Sequence, residues 1–307
     1  TKGQTCYICT QALHWKTKEG LVRGCACRGT SGFVHVSCLA EQAKILFVEA
    51  EENNLGENVL NKRLERWWTC GLCKQEYHGV VRCALGWACW KTYLGRPERD
   101  TTRVYAMRLV ASGLSDTDQA EDALSVQGAE LAMLRRLGAP EESILTVQGN
   151  LANTYEKLGR SEEALRMKRD IYSGRLKLLG EEDRETLIAA NNYANTLLAL
   201  DRFEEAKLVM RKTVPVARRI LGRDAFLTLT MSGCYADALM RRGDPSATLD
   251  DLHEAVRTLE DAARIAQRVL GGAHPTAAAL GQTLQNTRTI LAVRNLMAAR
   301  ISAPAPA

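Results

Sequence analysis

The sequence predicts a mainly α protein in which a small metal-stabilised module precedes an α-solenoid of helical hairpins. The first observation is a set of seven cysteines and one histidine, all before residue 74, whose close spacing is typical of metal ligands. The second is the recurrence of similar segments, mostly every 42 residues, through the remaining chain, which indicates stacked helical repeats. A chain of 307 residues is also long for a single core, so we expect two units.

The eight candidate ligands form four close pairs along the first 78 residues. In chain order they are Cys6 and Cys9, Cys25 and Cys27, His35 and Cys38, and Cys70 and Cys73. Eight such donors complete two tetrahedral zinc shells. Because this segment has too little apolar surface for a core of its own, the metal must supply the missing stability, on the order of 10 kcal/mol for a structural zinc ion. We therefore predict two structural zinc ions as the cofactor.

The four pairs can share two metal ions in two ways. Either neighbouring pairs bind one ion, or alternate pairs do so in a cross-brace. The third pair repeats the two-residue separation of the first, so we assign the first and third pairs to one zinc ion and the second and fourth pairs to the other. Spacing alone leaves both arrangements open.

The segments CRGTSGFVHVSCL and WWTCGLCKQEY resemble the RING-CH (RING-variant) zinc finger, whose hallmark is a Cys in the fourth ligand position and a His in the fifth. The PHD finger uses the same ligand order, with a wider Cys pair before a shorter gap to the His. The narrow Cys25–Cys27 pair, followed by seven residues before His35, favours RING-CH. One departure is the gap of 31 residues between Cys38 and Cys70, in which we predict a helix over residues 39–48, an acidic turn and a second helical stretch.

The resemblance implies ubiquitin ligation without a catalytic residue in this chain. RING-type modules hold a ubiquitin-conjugating enzyme and its thioester-linked ubiquitin in a reactive pose, which is catalysis by positioning. It also implies that Ile8, Trp68 and Lys74 contact the conjugating enzyme. The alternatives are that Ile8 packs between the zinc loops, that Trp68 belongs to a core and that Lys74 is only solvated. Gly71 stands where many RING fingers carry Pro, and His14 is expected to be a surface residue.

Residues 79–99 read as a connecting segment, most of which is a strongly apolar helix candidate. Trp87 and Trp90 are expected to dock this helix onto its neighbours. Cys83 and Cys89 point about 120° apart on a helix, which places them poorly for a shared metal. Since free Cys behaves as a small hydrophobe, we expect both to be buried and structural.

Residues 100–298 form the repeat array, which ends in a capping helix over residues 276–298, and residues 299–307 are expected to be a disordered tail. Each repeat closes on a Leu-Gly signature, with spacings of 42, 42 and 49 residues. The signature glycines are Gly138, Gly180, Gly222 and Gly271. Small residues at helix contacts recur with the same period, and the seven extra residues of the last repeat fall in the turn after Gly243.

The segments NLANTYEKLGRSEEAL, NNYANTLLALDRFEEAK and VLGGAHP resemble the tetratricopeptide repeat (TPR), and the 42-residue period is similar to that of kinesin light chain. Such arrays bind peptides on the concave face, which the first helix of each repeat forms. Asn is a poor helix former, so its recurrence on these helices requires an explanation. The candidate peptide-binding residues are Asn150, Asn153, Asn192, Asn195 and Asp237. The alternative is that these residues hydrogen-bond between adjacent helices inside the array.

The leading hypothesis is a RING-type ubiquitin ligase that recruits a conjugating enzyme through the zinc module and a protein substrate through the TPR array. The alternative is a non-enzymatic adaptor in which both modules only bind proteins, and a PHD-like histone-tail reader is a weaker third. The net charge of +5 lies in the first 96 residues without any basic run, which argues against nucleic acid as a partner. Metal-ligand cysteines and the lack of an apolar run of roughly 18 residues predict a cytoplasmic or nuclear protein without a membrane span.

Overall fold

The computed structural model describes residues 3–240 and 247–302, and the chain divides into two compact units, residues 1–159 and 160–307. The described residues contain no β-sheet, so the predicted mainly α fold is confirmed. Two short 3₁₀ helices span Gly29–Gly32 and Glu65–Trp67. The α-helices are α1 (Val36–Glu52), α2 (Glu57–Leu64), α3 (Gly79–Tyr93), α4 (Thr101–Asp116), α5 (Ala120–Arg136), α6 (Glu141–Lys157), α7 (Ser161–Leu179), α8 (Arg184–Ala199), α9 (Phe203–Ile220), α10 (Phe226–Met240), α11 (Leu249–Leu270) and α12 (Pro275–Ser302).

The amino-terminal part of the first unit has a small core in which cysteines replace much of the apolar surface. Val34 and Leu39 pack there with Tyr77 and Leu85 among the buried cysteines. The backbone is tied by single antiparallel bridges, of which the one between Val22 and Val34 has N–O distances of 2.8 and 3.2 Å. A core this small fits the expectation that metal binding stabilises the segment.

The long insertion between the third and fourth ligand pairs folds as α1 and α2. The buried face of α1 includes Ala43 and Phe47, and Phe47 packs edge-to-face on Tyr93 of α3 with ring centroids 5.6 Å apart. Trp67 in the second 3₁₀ helix packs on the same Tyr93 ring with centroids 5.8 Å apart. This second core fixes the backbone immediately before the last ligand pair, Cys70 and Cys73.

Helix α3 packs along α4 at very close range because glycines lie at the crossing. A Cβ atom on Gly86 would lie 2.6 Å from the carbonyl oxygen of Leu109, and one on Gly113 would overlap the backbone of Cys83. The predicted connecting helix is therefore held against the first repeat hairpin within the first compact unit. The domain boundaries at residues 78, 99 and 298 stay predictions.

Helices α4 to α6 in the first unit, and α7 to α12 in the second, pack each against the next. Alanines at equivalent positions of the repeats are completely buried, which permits close helix contact. They are Ala123, Ala152, Ala164, Ala194, Ala206, Ala236 and Ala255. The Leu-Gly glycines all have positive φ, between 63° and 93°, where a helix ends on glycine at low cost.

The turns within the repeats use the same left-handed geometry. Gly159 has a φ of 73° and Asp201 one of 56°, and Asp118 occupies the matching place in the first repeat with a φ of 56°. The fourth turn position, Gly243, lies outside the described residues. Helix α12 covers the predicted capping helix and continues to Ser302, inside the segment expected to be a tail.

Candidate metal centres and partner surfaces

The first metal centre brings together the first and third ligand pairs, Cys6, Cys9, His35 and Cys38, whose donor atoms all lie within 4.8 Å of one another. The Nδ1 atom of His35 lies 3.4 Å from Sγ of Cys9 and 3.7 Å from Sγ of Cys38. Tetrahedral zinc with Zn–S bonds of about 2.3 Å places neighbouring sulfur atoms roughly 3.8 Å apart. The four donors therefore fit a single tetrahedral zinc ion.

The second centre brings together the second and fourth pairs, Cys25, Cys27, Cys70 and Cys73, again within 4.8 Å. The sulfur atoms of Cys27 and Cys70 are 3.7 Å apart, which also matches a tetrahedral edge. Four thiols without the histidine give this centre a more negative donor set when they are deprotonated. The structure thus groups the ligands by alternate pairs, as in a cross-brace.

The electrostatics of the thiols favour a bound cation. Burial, followed by hydrogen bonding from Cys73, raises the pKa of Cys27 to about 12, whereas the backbone amide of Gln75 contributes most to lowering the pKa of Cys73 to about 7. Neighbouring thiolates repel one another unless a positive ion lies between them. A zinc ion would displace these protons, so metal binding and folding are linked to pH.

Both centres are built on matching backbone knuckles. The amide of Ile8 donates to Sγ of Cys6 at 3.4 Å, and the amide of Leu72 donates to Sγ of Cys70 at 3.4 Å. Amide donors of this kind stabilise thiolate ligands and fix their orientation. Ile8 and Leu72 therefore hold the same place in the two knuckles.

His14 contacts the first centre, so the expectation that it is a surface residue is wrong. Its ring is buried and packs edge-to-face on the ring of His35 with centroids 5.4 Å apart. The Nε2 atom of His35 lies 3.4 Å from the carbonyl oxygen of Ala12, which can accept its proton and leave Nδ1 free to bind metal. Sequence spacing could not reveal this packing, because His14 is outside the ligand pattern.

The predicted conjugating-enzyme contacts lie in three different environments. Ile8 is half-buried beside the small core, and Lys74 is exposed. Trp68 is half-buried and stacks on Tyr105 of α4 with centroids 6.4 Å apart. Leu72, which is not among the contacts predicted from the sequence, is 53% exposed on the second knuckle. Its equivalence to Ile8 within the Cys-x-x-Cys pairs was the signal that could have identified it.

The candidate peptide-binding amides are exposed on the first helices of their repeats. Asn150 and Asn153 lie on α6 of the first unit, and Asn192 and Asn195 on α8 of the second. None of these four side chains forms a hydrogen bond with another described residue. Asp237 on α10 is half-buried. Hydrogen bonds between helices therefore do not account for the four amides in the part of the chain that the structure describes.

The two cysteines of α3 lie against helix contacts. Cys83 packs against α4 at Gly113, and Cys89 is completely buried in the core beneath α1. Burial raises the pKa of the Cys89 thiol well above its usual range, so it stays protonated and unreactive at neutral pH. Neither residue lies in a metal cluster of the described chain.

No helix among the described residues is both long enough and apolar enough to span a bilayer.

Comparisons with known proteins identify both parts of the chain. Residues 6–54 match the RING-variant domain, and residues 143–219 and 236–276 match tetratricopeptide repeat models. No curated protein matches the chain.

Among solved structures, a variant of a Podosopora anserina kinesin light chain-type protein with nearly identical TPR-like repeats is 19% identical, with a TM-score of 0.50. The alignment covers 76% of this chain and 97% of that chain. BtubC (BKLC) from P. vanneervenii is 13% identical, with a TM-score of 0.45 over 89% of this chain and 96% of that chain. At 19% identity, the similarity to the Podosopora anserina protein shows the fold alone. The chain thus carries an amino-terminal segment that matches the RING-variant domain, followed by segments that match tetratricopeptide repeats.

Proposed function

We propose that this protein is a RING-type ubiquitin ligase whose zinc module recruits a ubiquitin-conjugating enzyme and whose repeats recruit the protein to be modified. The observation that carries the proposal is the grouping of eight donors into two four-ligand centres by alternate pairs. Six of these donors lie within residues 6–54, which match the RING-variant domain, and Cys70 and Cys73 follow that segment. In each centre the four donors would fill all four positions of a tetrahedral zinc ion. Such ions would have no open position for activating water, so their role would be structural.

Catalysis would come from positioning. The two knuckles present Ile8 and Leu72, and Lys74 follows the last ligand as an exposed cation. An apolar pair with a flanking cation suits the mixed apolar and acidic surface of a protein partner. Holding the thioester of a loaded conjugating enzyme in a reactive pose lowers the entropic part of the barrier, and no covalent intermediate on this chain is needed.

The repeats would supply the substrate. Helix α6 of the first unit and helix α8 of the second each carry two exposed amides three residues apart, without hydrogen bonds to described residues. Each pair offers donors and acceptors that suit the backbone of an extended peptide. Because amide contacts to backbone carry little sequence information, neighbouring side chains would set the specificity.

The test is discharge of ubiquitin from a panel of loaded conjugating enzymes by the full chain with both metal sites filled. We expect acceleration by the intact protein and a loss of about tenfold or more in Ile8→Ala and in Leu72→Ala, since apolar residues central to an interface contribute more than about 1 kcal/mol each. Val80→Ala is the matched control, because Val80 is 71% exposed on α3 of the same unit. Its discharge rate should stay at the level of the intact protein.

A non-enzymatic adaptor is the second candidate, and two observations favour it. Trp68 already stacks on Tyr105 within this chain. Gly71 lacks the apolar side chain that Pro supplies at this position in many RING fingers. If zinc-loaded protein captures partners through the repeats but accelerates discharge from no conjugating enzyme, the adaptor replaces the ligase.

A further inference from the structure

A basic depression lies in the first unit beside the second metal centre. It is bounded by α2, by the second 3₁₀ helix and by the knuckle of the last ligand pair, and its volume is about 530 Å³. The residues that line this basic depression are Val59, Lys62, Arg63, Glu65, Arg66, Thr69 and Lys74. Four of the seven carry a positive charge and one carries a negative charge.

Within the described chain, the four cations have no acidic partner. None of them forms an ion pair with a described residue, and neither does Glu65, although it lies between two of them in sequence. Elsewhere in the same unit arginines are paired: Arg82 with Glu76 and Asp116, and Arg108 with the buried Glu130. The depression thus concentrates positive charge that the described residues leave uncompensated.

Two of these cations converge on one residue. The ammonium of Lys74 donates to the carbonyl oxygen of Gly71 at 2.7 Å, and the guanidinium of Arg66 occupies the space that a side chain at position 71 would fill. Like charges held against the same residue repel each other, and an anion bound between them would relieve this repulsion. The hydroxyl of Thr69 has no hydrogen-bond partner among the described residues and lines the same space.

We propose that the basic depression binds a ligand with clustered phosphate groups, of the inositol phosphate type, either free or as a lipid headgroup. Arg guanidinium groups bind phosphate oxygens in a bidentate manner, Lys supplies a compact charge, and a hydroxyl adds a further donor. The volume lies within the range of about 300–1,000 Å³ of small-ligand sites. The proposal does not depend on ubiquitin transfer, because binding is measured without a conjugating enzyme.

The first experiment is calorimetric titration of the zinc-loaded full chain with soluble inositol trisphosphate at low ionic strength. Arg63→Gln and Lys62→Gln should each weaken binding by about tenfold, the effect expected for one charge-assisted hydrogen bond. Glu65→Gln removes the opposing charge from the lining and should strengthen binding. Lys44→Gln is the matched control, since Lys44 is an exposed cation on α1 that does not line the depression.

Gly71→Ala separates a built site from diffuse attraction to a basic surface. The new Cβ atom would displace the guanidinium of Arg66, a flexible side-chain end, while the net charge stays the same. We expect weaker trisphosphate binding with an unchanged zinc content. Unchanged binding in Gly71→Ala, or equal losses in Arg63→Gln and Lys44→Gln, would overturn the proposal, as would the absence of binding to the intact chain.

Vesicles distinguish the two sources of the phosphate cluster. Phosphatidylcholine vesicles with and without phosphatidylinositol bisphosphate are sedimented with the intact chain and with Lys62→Gln. Retention by bisphosphate vesicles that the soluble trisphosphate competes away identifies a lipid headgroup. Binding of the trisphosphate without vesicle retention identifies a free ligand. Retention that Lys62→Gln leaves unchanged counts against the depression as the binding site.

Discussion

At the scale of single residues, the metal ligands depend on neighbours that the ligand spacing does not name. The ring of His35 is held between the buried ring of His14 and the carbonyl of Ala12, which together fix its orientation. Each knuckle adds one amide donor to a thiolate. Outer contacts of this kind orient metal ligands and tune their affinity. The geometry of a zinc centre is therefore a property of its surroundings as well as of its four donors.

Metal content is the first prediction at this scale. The intact protein should hold two zinc ions per chain, because two separate four-donor centres are present. Cys9→Ser and Cys73→Ser should each lose one ion and keep the other, as measured by elemental analysis after dialysis. Loss of both ions from either variant would show that the centres fold as one unit. A count of one ion in the intact protein would contradict the cross-brace.

Acid should release these ions. Zinc binds the deprotonated thiolate, so protons compete with the metal as the pH falls. In a titration from about pH 8 to about pH 4 followed by a zinc-sensitive dye, release should rise steadily toward low pH. Constant zinc content across this range would contradict thiolate ligation.

At the scale of elements, helix contacts depend on small residues at a few positions. The crossing of α3 and α4 is close because Gly86 and Gly113 have no side chains there. The buried alanines of the repeats have the same effect between successive helices. Overpacking such contacts strains the backbone, because protein interiors are packed at crystal-like density.

The crossing gives a stability prediction. In Gly113→Ala the added methyl group meets the backbone of Cys83, which cannot yield as a flexible side chain would. We expect unfolding free energy to fall by about 1–3 kcal/mol. Gly128→Ala on α5 is the matched control, since its Cβ atom meets nothing within 4 Å, and it should stabilise the helix by up to about 1 kcal/mol. Denaturant titration of both variants measures the difference, and equal effects would contradict the close crossing.

The start of α11 gives a pH prediction. Burial alone would raise the pKa of Asp251. Hydrogen bonds from Lys207 and the Thr248 cap nevertheless hold this pKa below its usual value of 3.8. The ammonium of Lys207 lies 2.5 Å from the carboxylate. Because the folded-state pKa is depressed, this contribution is complete above the unfolded pKa and is lost as the pH falls through the folded value.

Asp251→Asn should therefore cost about 1–3 kcal/mol of unfolding free energy at neutral pH, and the cost should shrink below about pH 4. Asp250→Asn, an exposed neighbour in the same turn, should change stability by less than about 0.5 kcal/mol. Denaturant titrations of the three proteins from about pH 7 to about pH 3 give the comparison. A cost for Asp251→Asn that grows toward low pH would show that the pair does not stabilise the fold.

At the scale of the whole molecule, the chain carries two kinds of candidate binding surface on separate modules. The zinc module presents the half-buried Ile8 and the exposed Leu72 on its two knuckles, and the repeats present exposed amides on packed helices. Repeat arrays tolerate polar residues such as these amides on exposed faces, because their stability comes from contacts between neighbouring helices. Binding and stability should therefore respond to different residues.

Replacing Asn150 and Asn192 by Ala tests this separation. A peptide selected from a displayed library on the intact chain should bind the double variant about tenfold more weakly, since two hydrogen bonds are lost. Unfolding free energy should change by less than about 0.5 kcal/mol, because both side chains are exposed. Ser173→Ala, exposed on α7, is the control. A large loss of stability instead would place the amides in the structural framework of the array.

The sequence by itself determined the class of the protein. Local periodicity, Leu-Gly turns and regularly recurring alanines specify helical hairpins, because each repeat contacts mainly its neighbours in sequence. The pairs of ligands are likewise short-range features that spacing reveals. The sequence also located the two helical stretches between Cys38 and Cys70, although not the core that Phe47 and Trp67 form with Tyr93.

Only the tertiary structure decided which pairs meet, because contacts between Cys27 and Cys70 join residues 43 apart in the chain. The same holds for the burial of His14 on His35, the stacking of Trp68 on Tyr105 and the convergence of Arg66 and Lys74 at Gly71. These contacts have no periodic signature, since they arise where separate elements pack. Residue spacing predicts short-range features such as helical hairpins and ligand pairs, whereas the position of each functional side chain depends on the packing of the fold around it.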